Sequence, residues 1–343
     1  MRNLACLRRV AIWLGLTLLP PCGCAGSSSA DPSAMEGEDD PAIPGALVSA
    51  ARLKGFLGGK SGILIWVSNG KLRTLDFRTD GPAIKTLAED LDSVNPLLSP
   101  DGTRVVYSQG SPNGPKFIFV RKLDGSPATK IATGDIGYWY VAGGEESIVY
   151  ADWVDKSQNG EGGSTYKQKL VTSSVALSGA KEVLHDRAMD AGPNGTLRWL
   201  GQVYDRMFAY DLESKREYGP EAFFLKDGAP ADHQTCNGSW SPDDSARMMV
   251  LAIPHDFIRI FTYQPAAGSF RETSRFVMPA GKLEWEFPEW STSPGFFTTI
   301  LRTTDLKSHL MIAKIKDGDS APDVLEVIGA EEAATFSHLY VQE

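Results

Sequence analysis

Residues Asn95–Ser108 read "NPLLSPDGTRVVYS", and residues Asn237–Leu251 read "NGSWSPDDSARMMVL". Each has a short apolar run, then Ser-Pro-Asp with a further turn residue, then a second apolar run. Pro fixes φ near the value that the second position of a type I turn needs, Asp bonds its own backbone, and Gly accepts positive φ. The stretch therefore reads as a tight corner between two antiparallel strands, and its recurrence points to an internal repeat.

Aligning the chain on that corner yields more copies. "GGKSGILIWVS" begins at Gly58, "SPDGTRVVYSQ" at Ser99, "GGEESIVYADW" at Gly143, "GPNGTLRWLGQ" at Gly192, "SPDDSARMMVL" at Ser241 and "SPGFFTTILRT" at Ser293, in steps of 41, 44, 49, 49 and 52 residues. Within a repeat the runs alternate apolar and polar residues, as in "RVVYS" and "KFIFVRKL", which is the period of a strand with one buried face. Sustained helical periodicity is confined to the N-terminal apolar run. The expectation is all-β: a six-bladed β-propeller of four-stranded antiparallel blades.

The two Ser-Pro-Asp stretches resemble the Pro-Asp-type repeats of TolB-like six-bladed propellers, which occur in the bacterial periplasm and in surface lipoproteins. The resemblance covers about residues 50–343; the third corner, "GGEE", lacks Pro and Asp, and the sixth, "SPGF", lacks Asp. An open ring would expose a sheet edge, so the ends must meet. The C-terminal "ATFSHLYVQE" looks like an inner strand with no corner after it, so Thr335–Val341 is expected to complete the blade that holds "GILIWVS" and "KLRTLDF". Leu47–Phe56 is the competing segment for that slot.

The N-terminus carries Arg2, Arg8 and Arg9, then the apolar Val10–Leu19, too short to span a bilayer, and then "PPCGCAGSSS". This resembles a bacterial lipoprotein signal, in which a small residue precedes the acylated cysteine. Residues 1–23 are then the signal peptide and Cys24, after Gly23, takes the lipid; Cys22 is the alternative, and an ordinary secretory signal is a third reading. Ala25 after the cysteine implies, by the same resemblance, the outer membrane. Residues 24–45 are small, acidic and Pro-bearing, a disordered tether, and residues 46–343 form the propeller. Cys236 is then the one cysteine in the propeller, so no internal disulfide is expected. The net charge is -9, and the signal holds three arginines and no acid, so the remainder is more acidic still. That excludes nucleic acid as a partner, since phosphate binding needs a basic patch.

Innermost strands line the axis of a propeller, so their polar and aromatic residues are the first candidates for a ligand site at the channel or its rim. They include Tyr138, Trp139, His233, Asn237, Trp240, Glu286, Glu289 and Trp290, with Asn95, Tyr140, Asp190, Asn194, Cys236 and Trp285 beside them. Aromatics there stack on sugars or grip peptides; the same aromatics also pack blade against blade. His233 and Cys236, in "HQTC", are metal-ligand types without a matching second pair, so no metal and no cofactor are expected. Asp155–Glu161 partly copies a calcium loop, but Tyr166 replaces the closing Glu, and hairpin-loop composition explains the stretch equally. Glu284 with Glu286, or Asp152 with Asp155, are carboxylate pairs of the kind glycosidases use, and exposed strand faces carry such pairs too. Gly58-Gly59-Lys60-Ser61 lacks the strand and helix of a phosphate loop and falls on a turn. No catalytic serine motif is present. The reading is a non-catalytic scaffold on the envelope membrane for a protein or glycan. Its rival is a polysaccharide lyase or hydrolase working at the channel mouth.

Overall fold

The computed structural model describes residues 42–89, 95–110, 116–152, 163–189, 192–193, 195–202, 207–231, 235–279, 282–316, 318–320 and 323–343. Their strands form six sheets arranged as the blades of a propeller ring. From the axis outward, blade 1 is Ala334–Val341, Gly62–Ser68, Lys71–Asp76 and Ile84–Ala88. Blade 2 is Leu97–Leu98, Arg104–Gly110, Lys116–Lys122 and Thr129–Thr133, and blade 3 is Asp135–Ala142, Glu145–Asp152, Ser164–Val171 and Ala176–His185. Blade 4 has three strands among the described residues, Trp199–Gln202, Phe208–Asp211 and Arg216–Tyr218. Blade 5 is Thr235–Trp240, Arg247–Ala252, Phe257–Gln264 and Ser269–Val277; blade 6 is Lys282–Trp290, Phe296–Thr303, Ser308–Lys314 and Val324–Ile328.

The C-terminal strand closes the ring. Ala334–Val341 pairs antiparallel with Gly62–Ser68, from Gly62 opposite Val341 to Ser68 opposite Ala334. Bonds to both neighbouring blades hold it. The Thr298 hydroxyl donates to the Ser337 carbonyl (2.8 Å), the Thr292 amide to the Leu339 carbonyl (2.9 Å), and the Leu98 amide to Nδ1 of His338 (3.1 Å). The competing N-terminal segment does something else: Ala50–Phe56 is a helix, capped by the Ser49 hydroxyl, which accepts from the Arg52 amide (3.2 Å). Its Leu53, with Ile43, Val48 and Leu57, is buried against blades 1 and 6, worth about 2 kcal/mol for a fully buried leucine. Among the described residues no helix is long and apolar enough to cross a membrane.

The Ser-Pro-Asp corners occupy the expected place between inner and second strands, and each does a second job. In blade 2 the Ser99 hydroxyl donates to Asp101, which also accepts from the Thr103 amide (3.1 Å) and from Arg104 (3.2 Å). Arg104 then reaches blade 3, forking onto Glu146 (2.8 and 2.5 Å) with its guanidinium 5.1 Å from the Trp139 ring. In blade 5 Asp243 holds Arg247 (3.2 Å), which reaches the Pro294 carbonyl of blade 6 (3.4 Å) and lies 5.2 Å from the Trp290 ring. The repeat is thus a staple: corner Asp, Arg, and a Trp of the next blade. Gly102 is required twice over, by its φ of 64° and because a Cβ there would come 2.6 Å from the Tyr340 ring of the closing strand. Gly195 leaves room for the Pro242 carbonyl of the next corner, which a Cβ would meet at 1.7 Å.

Blade 5 carries two additions at its outer edge. Phe223–Phe224 and Gly318–Ser320 both pair in parallel with Ser269–Val277, so segments arriving from either side cap that edge.

Candidate functional site

Every inner strand runs toward its corner, so the ring has a corner end and an opposite end, where the second strands turn into the third and each blade passes to the next. Four inner strands share a feature toward that opposite end. Their pairing with the second strand shifts register at Ile136, Asn237, Phe287 and Phe336, and all four residues have left-handed backbone, with φ of 53°, 46°, 48° and 38°. Each is a β-bulge, whose extra residue leaves the ladder and re-aims its side chain. Glycine is the usual occupant of such a position, and for isoleucine or phenylalanine the conformation costs roughly 1–2 kcal/mol. All four are partly exposed and stand on the innermost strands, and the Phe287 and Phe336 rings meet with centroids 4.2 Å apart. They make a collar of corresponding positions on four inner strands: Phe287 also packs on the core between blades 1 and 6, Phe336 on the core between blades 1 and 2, and Ile136 lines a small pocket with Val149, Met189 and Leu200 at the seam of blades 3 and 4.

Glu289 stands below the collar. Its carboxyl accepts from the Ser239 hydroxyl of blade 5, and that hydroxyl accepts from the Trp290 amide (3.1 Å). Enclosure by the ring, opposed by the Ser239 and Trp290 bonds, pushes its pKa up to about 8, so it is neutral at pH 7. His338 is enclosed on the closing strand, and burial pushes it down to about 3. Its Nδ1 accepts a bond, so the neutral ring carries its hydrogen on Nε2.

A second cluster lies at the same end, between blades 5 and 6. Arg302 binds Glu284 (2.7 Å) and Glu286 (2.9 Å), and His255 Nδ1 is 3.2 Å from Glu284. The His255 bond and then Arg302 overcome burial and hold Glu284 below its ordinary range. Glu286 is 4 % exposed, and burial pushes it to about 7 against the pull of Arg302. Its second oxygen has no hydrogen-bond partner among the described residues.

The sequence candidates divide. Asn237 is in the collar and Glu289 beneath it; Glu286 belongs to the Arg302 cluster. Trp240 is buried between blades 4 and 5, stacked on Trp199 (5.7 Å), and Trp290 is buried under Arg247. Trp139 donates its indole N–H to the Leu97 carbonyl of blade 2 (2.8 Å). Tyr138 packs on Gly192, where a Cβ would sit 2.1 Å from its ring. Cys236 is buried and in no disulfide. His233, Asp190, Asn194 and the calcium-like Asp155–Glu161 lie outside the described residues, as do Cys24 and residues 1–41. His185 lies between Asp186 and Glu217 (3.4 Å each) and His309 against Glu326 (2.7 Å), each in its own blade region. Among the described residues no three His, Cys, Asp or Glu side chains gather to hold a metal ion. Sequence reading missed Ile136, Phe287, Phe336 and Arg302. Of the collar, Asn237 alone carried a signal, since asparagine tolerates left-handed backbone.

No family model matches the chain, and no curated protein matches it either. Among solved structures, TolB from Acinetobacter baumannii superposes with a TM-score of 0.56 at 14 % identity, covering 85 % of this chain and 71 % of that one. The chain has a TolB-like propeller fold. Looser matches are the periplasmic gluconolactonase of Pseudomonas aeruginosa (TM-score 0.46, 12 % identity, 75 % of this chain and 79 % of that one) and the β-propeller domain of Myceliophteria thermophila Cps50 (0.47, 11 %, 82 % and 96 %). At these identities the TolB-like likeness extends to the fold alone.

Proposed function

We propose that the chain is a non-catalytic scaffold of the bacterial envelope, anchored through lipid on Cys24, that grips a segment of a partner protein at the collar end of its ring. The observation that carries this is the collar itself. Glycine would relieve the backbone at these positions, yet Ile136, Phe287 and Phe336 stand there with their side chains partly exposed, Phe287 and Phe336 covering core residues with the rest of their surface. Strain held at one level of the axis is what a preformed binding site shows, and aromatic rings beside an amide fit a peptide segment better than a charged ligand. The TolB-like fold and the signal-like N-terminus agree with an envelope location.

The collar is tested by Asn237→Gly, Phe287→Gly and Phe336→Gly combined. The variant should fold with an unchanged closing strand and lose the envelope protein that the wild type retains from solubilised membranes. Equal retention by the two would contradict the reading. Anchoring is tested separately: Cys24→Ala should move the protein from the membrane to the soluble fraction.

The rival reading, a lyase or hydrolase, draws on the His255–Glu284–Arg302–Glu286 cluster, where one carboxyl titrates near neutrality. In it Arg302 already engages both carboxylates, which makes a closed ion network rather than a free acid and base. Polysaccharide cleavage by wild type and its loss in Glu286→Gln would favour the rival.

A further inference from the structure

Seven large hydrophobic side chains are exposed among the described residues; five of them lie at the same end of blades 5 and 6, and Val183 stands near that end on the outer strand of blade 3. Ile253 is in the turn between the second and third strands of blade 5, and Val277 ends that blade's outer strand, with the Met278 amide donating to the Asp256 carbonyl (3.1 Å). Leu283 begins the inner strand of blade 6. Leu306 is at the tip of that blade's next turn, whose base pairs Thr303 with Lys282. Leu47, whose amide donates to the Val327 carbonyl (2.9 Å), rests beside Gly329 at the end of the outer strand of blade 6. All five are therefore at the collar end and confined to the edge formed by blades 5 and 6. Leu306 is 69 % exposed and Leu47 54 %.

We infer that this crescent rests on the lipid bilayer, tilting the ring so that blades 5 and 6 touch the membrane while blades 2 and 3 stand away. The inference relies on the Cys24 anchor proposed above. Three observations favour lipid over a protein as the occupant. First, the crescent is aliphatic throughout, whereas protein hot spots are rich in Trp, Tyr and Arg and poor in Leu and Val. Second, Ile253 and Leu306 project from turns, a convex shape that enters a headgroup layer and offers a partner no groove. Lys282 flanks Leu283 with a long stem that lets its ammonium reach phosphate, while Lys307, beside Leu306, is paired with Asp305 (3.1 Å). Third, Leu47 of the crescent follows Cys24 by only 23 positions in the chain, so a lipid on Cys24 is held near the crescent. The 17 residues between Cys24 and Ala42 span at most about 60 Å even when fully extended. A weak contact held at that range is populated by effective concentration alone.

The test uses full-length lipidated protein in vesicles of phosphatidylethanolamine and phosphatidylglycerol. An environment-sensitive fluorophore is placed at Leu306→Cys or Leu283→Cys in a Cys236→Ser background, with Val141→Cys, at the corner end of blade 3, as control. Both crescent labels should shift to the blue and lose most of their emission to brominated lipid, and the control should do neither. In the unlabelled protein, Ile253→Ser/Leu283→Ser/Leu306→Ser should stay with the vesicles yet lose the slowing of hydrogen exchange that the bilayer imposes on the turns at 252–257 and 303–307. Vesicle-bound protein with water-exposed crescent labels would overturn this inference and leave the anchor standing. Protein that does not sediment with vesicles would overturn both. A blue shift that requires a second protein would assign the crescent to that protein and overturn the membrane contact.

Discussion

Replacing His338 by Gln tests how the ring is closed. The imidazole is on the closing strand, 6 % exposed, and accepts the Leu98 amide of blade 2 through Nδ1. Burial holds its pKa at about 3, while an unfolded chain offers a histidine near 6.5. The unfolded state therefore takes up a proton that the folded state refuses. The histidine's contribution is complete above pH 6.5 and is lost progressively as pH falls toward 3. Between pH 7.5 and pH 5 the loss is about 2 kcal/mol. Glutamine can accept the same amide and does not titrate. Urea unfolding of wild type and His338→Gln, followed by tryptophan fluorescence at both pH values, isolates the effect, because every other titrating group cancels in the difference. The wild type is expected to lose about 2 kcal/mol relative to the variant on acidification. Parallel losses would mean that the imidazole is reachable by solvent, and that the closing strand is not seated against blade 2 as described.

Other expectations follow from the same geometry. Arg104→Ala removes a buried guanidinium from Asp101 and Glu146 and should cost about 2–4 kcal/mol by thermal unfolding, whereas Arg247→Ala, at a more exposed pair, should cost about 1 kcal/mol; equal losses would contradict the staple. Glu289 has its folded pKa raised to about 8, so its contribution is complete below pH 4.5 and falls away as pH rises through 8. Relative to Glu289→Gln, the wild type should lose about 3 kcal/mol between pH 4 and pH 7, and a flat difference in denaturation experiments would show that the carboxyl is ionised in the fold. Ile136→Gly should leave stability unchanged or raise it by up to about 1 kcal/mol, because relief of left-handed backbone offsets lost side-chain contact; a large loss would show that Ile136 serves packing.

Much of the architecture is legible in the chain because propeller corners use residues with local physics. Ser99, Pro100, Asp101 and Gly102 each have a turn role independent of the rest of the fold. The closing strand is legible for a topological reason, an inner-strand composition with no corner after it. The helix Ala50–Phe56 is hidden by its length, since its seven residues bury Leu53 alone, with Leu57 just past the end, and show no sustained period. The caps on blade 5 are hidden too, because pairings of two and three residues at Phe223–Phe224 and Gly318–Ser320 are made by tertiary position alone. The site was legible only in part. Strand alternation places Trp240 and Trp290 on inner strands but not on which face of the blade, and the answer depends on the Arg247 and Trp199 partners that fold around them. Nothing in a sequence announces a left-handed phenylalanine, so Phe287 and Phe336 could emerge only from backbone geometry.

The central claim is that the collar end of the axis receives a protein segment. Photo-crosslinking in intact cells tests it most directly, with a photoreactive amino acid at Phe287 or Phe336 and, as control, at Val141 on the corner end. The account predicts one discrete adduct, identified by mass spectrometry as the same envelope protein from both collar positions and absent from the control. Collar positions that yield no adduct, or the same adducts as Val141, would contradict it.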